Sequence, residues 1–215
     1  MDTIADEIRV RRGHESASYD PEQIRQIIDA GYVAHVAFCH NGRPVCVPMI
    51  YWREGDFLMW HGSSKSRAML ASEGDRVCIT ITHWDGLVFA RSEFHHSANY
   101  RCVMLFGEAQ KVPDSQKSQS LHKLMERIAP GRDQALRPMS GQELKATVLL
   151  RISIDQVSAK IKSGPPKGDP ADVDWPVWEG VVPIAQTFQP AVSADLTEAD
   201  AVTPENIRRL EGAKI

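Results

Sequence analysis

Residues 41 and 42 constrain the fold most, because Asn-Gly between two apolar runs is the strongest short-range signal for a β-hairpin. The flanking runs, residues 32–40 and 43–52, are rich in β-branched and aromatic residues. A second turn signal, Glu-Gly-Asp at 54–56, precedes a third apolar run at 57–61. The sequence therefore predicts an antiparallel meander of three strands.

Two prolines, Pro44 and Pro48, lie within the second of these strands. Proline has no backbone N–H, so this strand must have a free edge, a bulge or an incompletely paired backbone. A backbone that keeps its polar groups free can offer them to a flat polar ligand. The strand is therefore a candidate binding element.

A polar loop, G-S-S-K-S-R at residues 62–67, follows the meander and leads into a short predicted helix. Hydroxyls, free N–H groups and two cations at a helix start suit a phosphate group. Cations at that end of a helix are unfavourable unless an anion offsets them, so Lys65 and Arg67 indicate an anion. The alternative is that both are ordinary surface charges.

The rest of the chain supplies more strands and a few helices. Asp20-Pro21 begins a helix, residues 114–128 form a second one, and Ser140 with Glu143 forms a capping box for a third. Further strands are predicted at residues 76–84, 87–90, 100–109, 147–154 and 157–162. Strands this closely spaced predict a mainly β fold with flanking helices, an antiparallel barrel of about six core strands.

Composition excludes several classes of function. The formal net charge of −3 argues against a nucleic-acid partner, and no apolar run approaches the ~20 residues of a membrane span. The first 18 residues contain no apolar segment of a signal peptide. The four cysteines form no C-x-x-C pair, so we interpret them as reduced, buried residues of a cytoplasmic protein rather than as metal ligands.

The order of the motifs resembles the FMN-binding split β-barrel proteins related to pyridoxamine 5′-phosphate oxidase, and among them the nitroimidazole-resistance-type flavoproteins. The resemblance rests on H-G-S-S-K-S-R at 61–67, F-A-R-S-E-F-H-H-S-A-N-Y-R at 89–101 and P-V-W-E-G-V-V-P at 176–183. We expect an N-terminal arm (1–20), one split-barrel domain (21–184) and a weakly ordered or briefly helical tail (185–215).

The resemblance implies a homodimer that binds FMN at the subunit interface. Against the flavin ring it places the backbone of Val47, Pro48 and Met49. In the phosphate loop it places His61, Ser63, Ser64, Lys65 and Arg67. In a second signature it places Arg91, Asn99, Tyr100 and Arg101, with Trp178 as an aromatic neighbour of the flavin. The structural alternatives are a surface His61, a core Trp178, and arginines paired with Asp75, Asp85 or Glu93.

The expected function is an FMN-dependent oxidoreductase that acts on an unknown small molecule, with NAD(P)H as a candidate electron donor. No catalytic side chain and no metal site is predicted. Cys102 replaces the serine expected after Tyr100-Arg101, and the absence of a C-terminal Arg-x-His element argues against pyridoxamine phosphate as substrate. Alternatives are a flavin carrier or sensor without turnover, or a split-barrel protein that binds deazaflavin F420 or haem, with His61, His95 or His96 as axial ligand.

Overall fold

The computed structural model describes residues 4–194 and 202–214. Its helices are α1 (Pro21–Asp29), α2 (Arg67–Ser72), α3 (Asp114–Ile128), α4 (Gly141–Ala146) and α5 (Glu205–Arg208). Its strands are β1 (Ala17–Ser18), β2 (Val33–His40), β3 (Arg43–Glu54), β4 (Phe57–Ser63), β5 (Arg76–Phe89), β6 (Ser97–Glu108), β7 (Gln110–Lys111), β8 (Thr147–Ser153), β9 (Val157–Lys162) and β10 (Gly180–Pro183).

One antiparallel sheet contains all ten of these strands, in the order β1-β9-β6-β5-β2-β3-β4-β8-β7, with β10 added to β5. The sheet is not closed, and the helices flank it. The predicted fold class is confirmed. The sheet has ten strands instead of the predicted six because the final two predicted strands join it, three short strands were not foreseen, and two predicted strands form one strand, β5.

The predicted meander is present as β2, β3 and β4. Asn41 and Gly42 both have positive φ, at 51° and 72°, which a two-residue hairpin turn requires and which these residue types tolerate. Residues 43–50 pair with β2, and only residues 51–54 pair with β4. Within the described residues, positions 43–50 therefore have one strand partner, as the two prolines predict.

One sequence prediction is wrong: residues 76–84 and 87–90 are not two strands joined by a turn at Asp85-Gly86. They form the single strand β5, whose register shifts between Trp84 and Gly86 where it pairs with β6. The Asp85 carboxylate accepts hydrogen bonds from Arg101 on β6, at 2.9 and 2.8 Å. This cross-strand pair holds the extra residue as a bulge instead of a turn.

The core has two parts, one on each face of β4. Leu58 and Trp60 belong to the larger part, which α1 covers with Ile24, Ile27 and Ile28. Met59 belongs to the smaller part, together with Trp52, Leu149 and, from α3, Leu121 and Leu124. Since side chains alternate along a strand, the next residue on the α3 side of β4 is His61.

Two of the four cysteines contradict the sequence interpretation. Cys39 and Cys46 are exposed, whereas Cys78 and Cys102 are half-buried. The exposed pair lies on the β2–β3 hairpin, where apolar residues alternate with outward-facing positions. Apolar neighbours in sequence are therefore poor evidence that a cysteine in this hairpin is buried.

The tail folds back on the domain where it is described. Phe188 packs edge-on against Tyr32 at 5.9 Å, and its carbonyl accepts a hydrogen bond from Gly212. The predicted short helix is present as α5; residues 1–3 of the arm and 195–201 and 215 of the tail lie outside the described residues. No helix in the described ranges is both long and apolar enough to cross a membrane.

Candidate functional site

The polar loop at 62–67 is held in place by its backbone. Ser63 ends β4 opposite Thr147, and the Ser64 N–H donates to the Ala146 carbonyl at 2.8 Å. The Lys65 N–H donates to Ser63 Oγ at 3.2 Å. The loop thus has a defined conformation without using the side chains of its two cations.

Lys65 and Arg67 are exposed and uncompensated. In the described part of the chain neither side chain lies within 4.0 Å of a carboxylate. The hydroxyl of Ser66, the N-cap of α2, also makes no capping hydrogen bond. The loop therefore presents hydroxyls and two positive charges that no carboxylate in residues 4–194 and 202–214 balances.

The free part of β3 runs beside this loop. Val47, Pro48 and Met49 pair with β2 on one side. Beyond the pair Tyr51–Trp60, β4 leaves β3 and continues along β8 instead, so residues 61–63 pass the free edge without pairing to it. The structure therefore brings the predicted ring-contacting backbone and the predicted phosphate loop together at one opening of the sheet.

The second signature has partners within its own chain. Arg101 is bidentate to Asp85, one of the structural alternatives, and this hydrogen bond raises the pKa of the guanidinium. Arg91 contacts Glu179 at 3.4 Å and donates to the carbonyls of Val173 and Asp172. Buried Asn99 donates to the Gly164 carbonyl at 3.0 Å. Arg91 and Asn99 therefore hold the segment 163–179 against the sheet.

That segment presents aromatic side chains to solvent. Trp178 is 67% exposed, beside Phe89 at 6.1 Å, and so is not a core residue. Trp175 and Phe94 are also exposed, and Tyr100 on β6 is half-buried. An exposed apolar patch of this kind is typical of a surface that is covered by a ligand or a second protein chain.

The two predicted halves of the site lie on different elements of the chain. The loop leads through α2 to the Arg76 end of β5, whereas Arg91 follows the other end of that strand and residues 99–101 lie on β6, opposite residues 83–86 of β5. Eight residues of strand, at ~3.3 Å each, separate Arg76 from Trp84 by about 26 Å.

Sequence reasoning missed a cavity of about 830 Å³ beside the loop. It lies between the end of β4, α3 and the segment that follows α3. Its walls are mostly apolar and include Leu121, Leu124, Met125, Leu136, Pro138 and Met139. The apolar residues of α3 have ordinary core spacing, so only the folded arrangement reveals the cavity.

His61 lines this cavity. Burial lowers the pKa of its imidazole, so the ring is neutral at neutral pH. Its Nδ1 is buried and has no hydrogen-bond partner in residues 4–194 and 202–214. The ring packs edge-on against Trp52 at 6.1 Å. His61 is thus a neutral imidazole at the cavity wall, and the hydrogen-bonding capacity of its Nδ1 is unused among the described residues.

Other histidines are already engaged. His122 Nδ1 lies 3.2 Å from Asp133, and these two with Glu126 place possible metal-ligating atoms within 4.8 Å of one another. The Nδ1 atoms of His95 and His96 lie 2.7 and 2.9 Å from the Oγ and the carbonyl oxygen of Ser92. Of the three predicted axial candidates, His61 is the one that faces an apolar cavity.

Comparison with known proteins agrees with the motif order. The sequence model of the family described as pyridoxamine 5′-phosphate oxidase matches residues 20–161. No curated protein sequence matches the chain. A protein from Bacteroides thetaiotaomicron assigned to 5-nitroimidazole antibiotic resistance shares 19% identity and a TM-score of 0.56, over 67% of this chain and 86% of that one, which supports the fold alone.

Two solved structures are similar over nearly the whole chain. The flavocytochrome Anf3 from Azotobacter vinelandii is 36% identical, with a TM-score of 0.94, over 99% of this chain and 100% of that one. An FAD and haem binding protein from Mycobacterium smegmatis is 33% identical, with a TM-score of 0.88, over 92% and 98%. The chain therefore belongs to the pyridoxamine 5′-phosphate oxidase family of flavin-binding split-barrel proteins.

Proposed function

We propose that this protein is a flavin-dependent redox protein of the flavocytochrome type, in which two copies of the chain enclose each flavin. The observation that carries the proposal is the pair of uncompensated cations, Lys65 and Arg67, beside the free edge of β3. An anionic ligand with a flat polar ring fits both features. The similarity to two flavin- and haem-binding proteins supports the same conclusion.

The proposed flavin is either FMN or FAD, which have the same redox-active ring. The motifs predict FMN, whereas the similar Mycobacterium smegmatis protein binds FAD. Both have the isoalloxazine ring and the phosphate next to the ribityl chain, so the same loop and strand edge suit either. The overall similarity favours FAD, and chromatography of the released cofactor distinguishes the two.

Each protein group has a defined task in this proposal. Lys65 and Arg67 bind the phosphate by charge-assisted hydrogen bonds. The backbone of Val47 to Met49 orients the ring, and Trp178 of the second chain excludes water from it. The flavin, when bound, supplies the redox chemistry, so the chain needs no acid or base of its own. A reduced nicotinamide is the proposed donor, and a small molecule the acceptor.

Mixing two defective proteins tests both the site and the dimer. Lys65→Ala/Arg67→Ala removes the loop half of every site, and Trp178→Ala weakens the other half. In a mixed dimer one site carries both defects and the other is intact. Refolding the two variants together should therefore restore flavin to one site per mixed dimer, measured by flavin absorbance on the separated species.

Other outcomes bear directly on the proposal. A monomer with stoichiometric flavin would contradict the shared site, and mixed dimers without flavin would contradict the assignment of the two halves. Anaerobic oxidation of NAD(P)H with an added acceptor then measures turnover. A protein that holds flavin but transfers no electrons would be a carrier, and the redox enzyme proposal would be wrong.

A further inference from the structure

We propose that the cavity between β4 and α3 is the haem site of this protein, with His61 as an axial ligand of the iron. The inference rests on the proposed function, because a flavocytochrome contains haem as well as flavin. It adds a location and a ligand that the similarity to flavin- and haem-binding proteins does not assign. The size and lining of the cavity and the position of His61 support it, and a competing ligand and a competing occupant fit less well.

Size and lining suit a large, flat, apolar ligand. The cavity volume of about 830 Å³ lies within the roughly 300–1,000 Å³ of small-molecule and cofactor sites. Leu121 and Leu124 belong to the buried core, and Met125, Leu136 and Met139 extend the apolar wall outward.

The position of His61 suits iron ligation. Histidine is a common axial ligand of haem iron, through a neutral imidazole. His61 lies on β4, inside the sheet, so its backbone is fixed by pairing with Leu149 on β8. Trp52, which is 1% exposed, packs against the ring and limits its rotation. A ligand on a rigid strand holds a metal more accurately than one on a loop.

His122 is the competing ligand in the same cavity, and it fits less well. Its side chain is 53% exposed, and its Nδ1 faces the Asp133 carboxylate at 3.2 Å. It lies on the rim of the cavity, on the solvent side of α3. The matched substitution at His122 therefore serves as the internal control.

The other candidate occupant is the adenosine diphosphate half of FAD. That group needs polar partners for its ribose and phosphates. The cation that lines the cavity, Arg137, is already bidentate to Glu143, with one hydrogen bond at 2.9 Å. The apolar lining offers the adenosine half few of the hydrogen bonds it would require, whereas haem requires few.

Haem content of the purified dimeric protein, expressed with added haem precursor, tests the site. His61→Ala should lower the haem-to-protein ratio, measured from the Soret band, by about tenfold or more, which is the scale of loss for disturbing even the outer partners of a metal ligand. The unfolding midpoint should stay unchanged, and the flavin-to-protein ratio should stay unchanged in His122→Ala. Added imidazole should restore haem binding to His61→Ala, and His122→Ala should retain haem.

A second variant keeps the test valid if His61→Ala folds poorly. Leu136 is 43% exposed at the cavity wall, so Leu136→Trp should fill the cavity and lower haem content without touching His61. Leu70→Trp, at an exposed position on α2 outside the cavity, is the matched control and should retain haem.

Each contrary result is distinguishable. Wild-type protein with flavin but without haem would overturn the flavocytochrome proposal and this inference with it. Wild-type protein with haem, together with full haem in both His61→Ala and Leu136→Trp, would overturn the inference alone. Loss of FAD with retention of haem in these variants would assign the cavity to the adenosine half.

Discussion

The two ends of β5 both carry predicted flavin-binding cations, but these differ in what they contact. Near the Arg76 end, Lys65 and Arg67 extend from the loop with no carboxylate within 4.0 Å among the described residues. Near the other end, Arg91 and Arg101 contact Glu179 and Asp85. Sequence motifs mark both sets equally, so the partners decide their roles.

Whether a cation has a carboxylate partner in the protein indicates whether it serves ligand binding or stability. A charge without a protein partner raises the free energy of the apoprotein. An anion that binds beside this charge removes that cost. A charge that the fold already pairs holds segments together and contributes to stability instead. Substitution at the first end should therefore change ligand binding, and substitution at the second end should change stability.

The largest expected effect is on flavin affinity at the loop. Lys65→Ala with Arg67→Ala should cost roughly 3–6 kcal/mol of binding free energy, at ~1.5–3 kcal/mol for each charge-assisted hydrogen bond. The free energy of unfolding of the apoprotein should change by less than about 0.5 kcal/mol. Fluorescence titration with flavin and urea unfolding measure the two quantities.

The control for this double variant is Arg208→Ala with Arg209→Ala. It removes the same charge from α5, where both arginines pair with Glu205. Flavin affinity should be unchanged there. Stoichiometric flavin in the loop variant would show that Lys65 and Arg67 are ordinary surface charges.

Gly86→Ala should produce the next largest effect, now on stability. A Cβ at Gly86 would lie 2.9 Å from the backbone oxygen of Val182, so β10 would have to move away from β5. We expect a loss of about 1–3 kcal/mol in the free energy of unfolding, as in overpacked cores. Gly141→Ala, where no atom of the described residues apart from the adjacent chain lies within 4 Å of the added Cβ, is the control.

The control should be neutral or stabilising by about 0.4–1 kcal/mol, since alanine restricts the unfolded chain. Equal destabilisation in both glycine variants would show that β10 is not held by close packing at Gly86. In that case the stability of the Arg91 end of β5 would not depend on the packing of β10 against this strand.

The Arg101–Asp85 pair should show a smaller effect. Both side chains are about one-third exposed, so their coupling in a double-mutant cycle should be about 1 kcal/mol in the free energy of unfolding. Arg101→Ala should leave flavin affinity nearly unchanged. If Arg101→Ala lost flavin while its free energy of unfolding stayed at the wild-type value, Arg101 would be a ligand-binding cation like Lys65 and Arg67. The proposed difference between the two ends of β5 would then be wrong.

The smallest expected effect concerns Glu143, which pairs with Arg137 at the cavity wall. Hydrogen bonds from Arg137 and from Ser140 lower the pKa of this carboxyl to about 2, below the ~4.3 of an unfolded glutamate. A lowered folded-state pKa stabilises the protein above about pH 4.3, and that stabilisation is lost as pH falls towards 2.

Thermal unfolding of wild type and Glu143→Gln across this range measures the effect. The difference between the two midpoints should be largest near pH 6 and should shrink steadily below pH 4.3. A difference that does not vary with pH would show that Arg137 and Glu143 do not interact as an ion pair. Arg137 would then be a free cation like those of the loop.

Local signals explain which parts of the fold were predictable. The Asn41-Gly42 turn, the Asp20 cap and the Ser140 capping box depend on residues within a few positions, and all three are present. The turn predicted at Asp85-Gly86 failed because Arg101, sixteen positions away, holds Asp85 in a bulge. β10 was missed because its partner strand lies more than ninety positions earlier.

The same distinction applies to the site. The loop could be proposed as a phosphate site from the sequence because serine, lysine and arginine have a chemistry that suits phosphate wherever they occur together. The cavity was not recognisable, because its walls come from β4, α3 and residues 136–139, and leucine or methionine in these elements looks the same whether it packs in a core or lines a void. Only the spatial arrangement tells a core from a cavity.

The free edge of β3 has a further consequence for how the apoprotein behaves in solution. An unpaired strand edge is a template on which strands of other molecules can polymerise. Pro44 and Pro48 remove two of the N–H donors that an incoming strand would need, and both are exposed. The edge of β3 can therefore remain unpaired until a cofactor binds. In the meantime the two prolines protect the apoprotein against edge-to-edge aggregation.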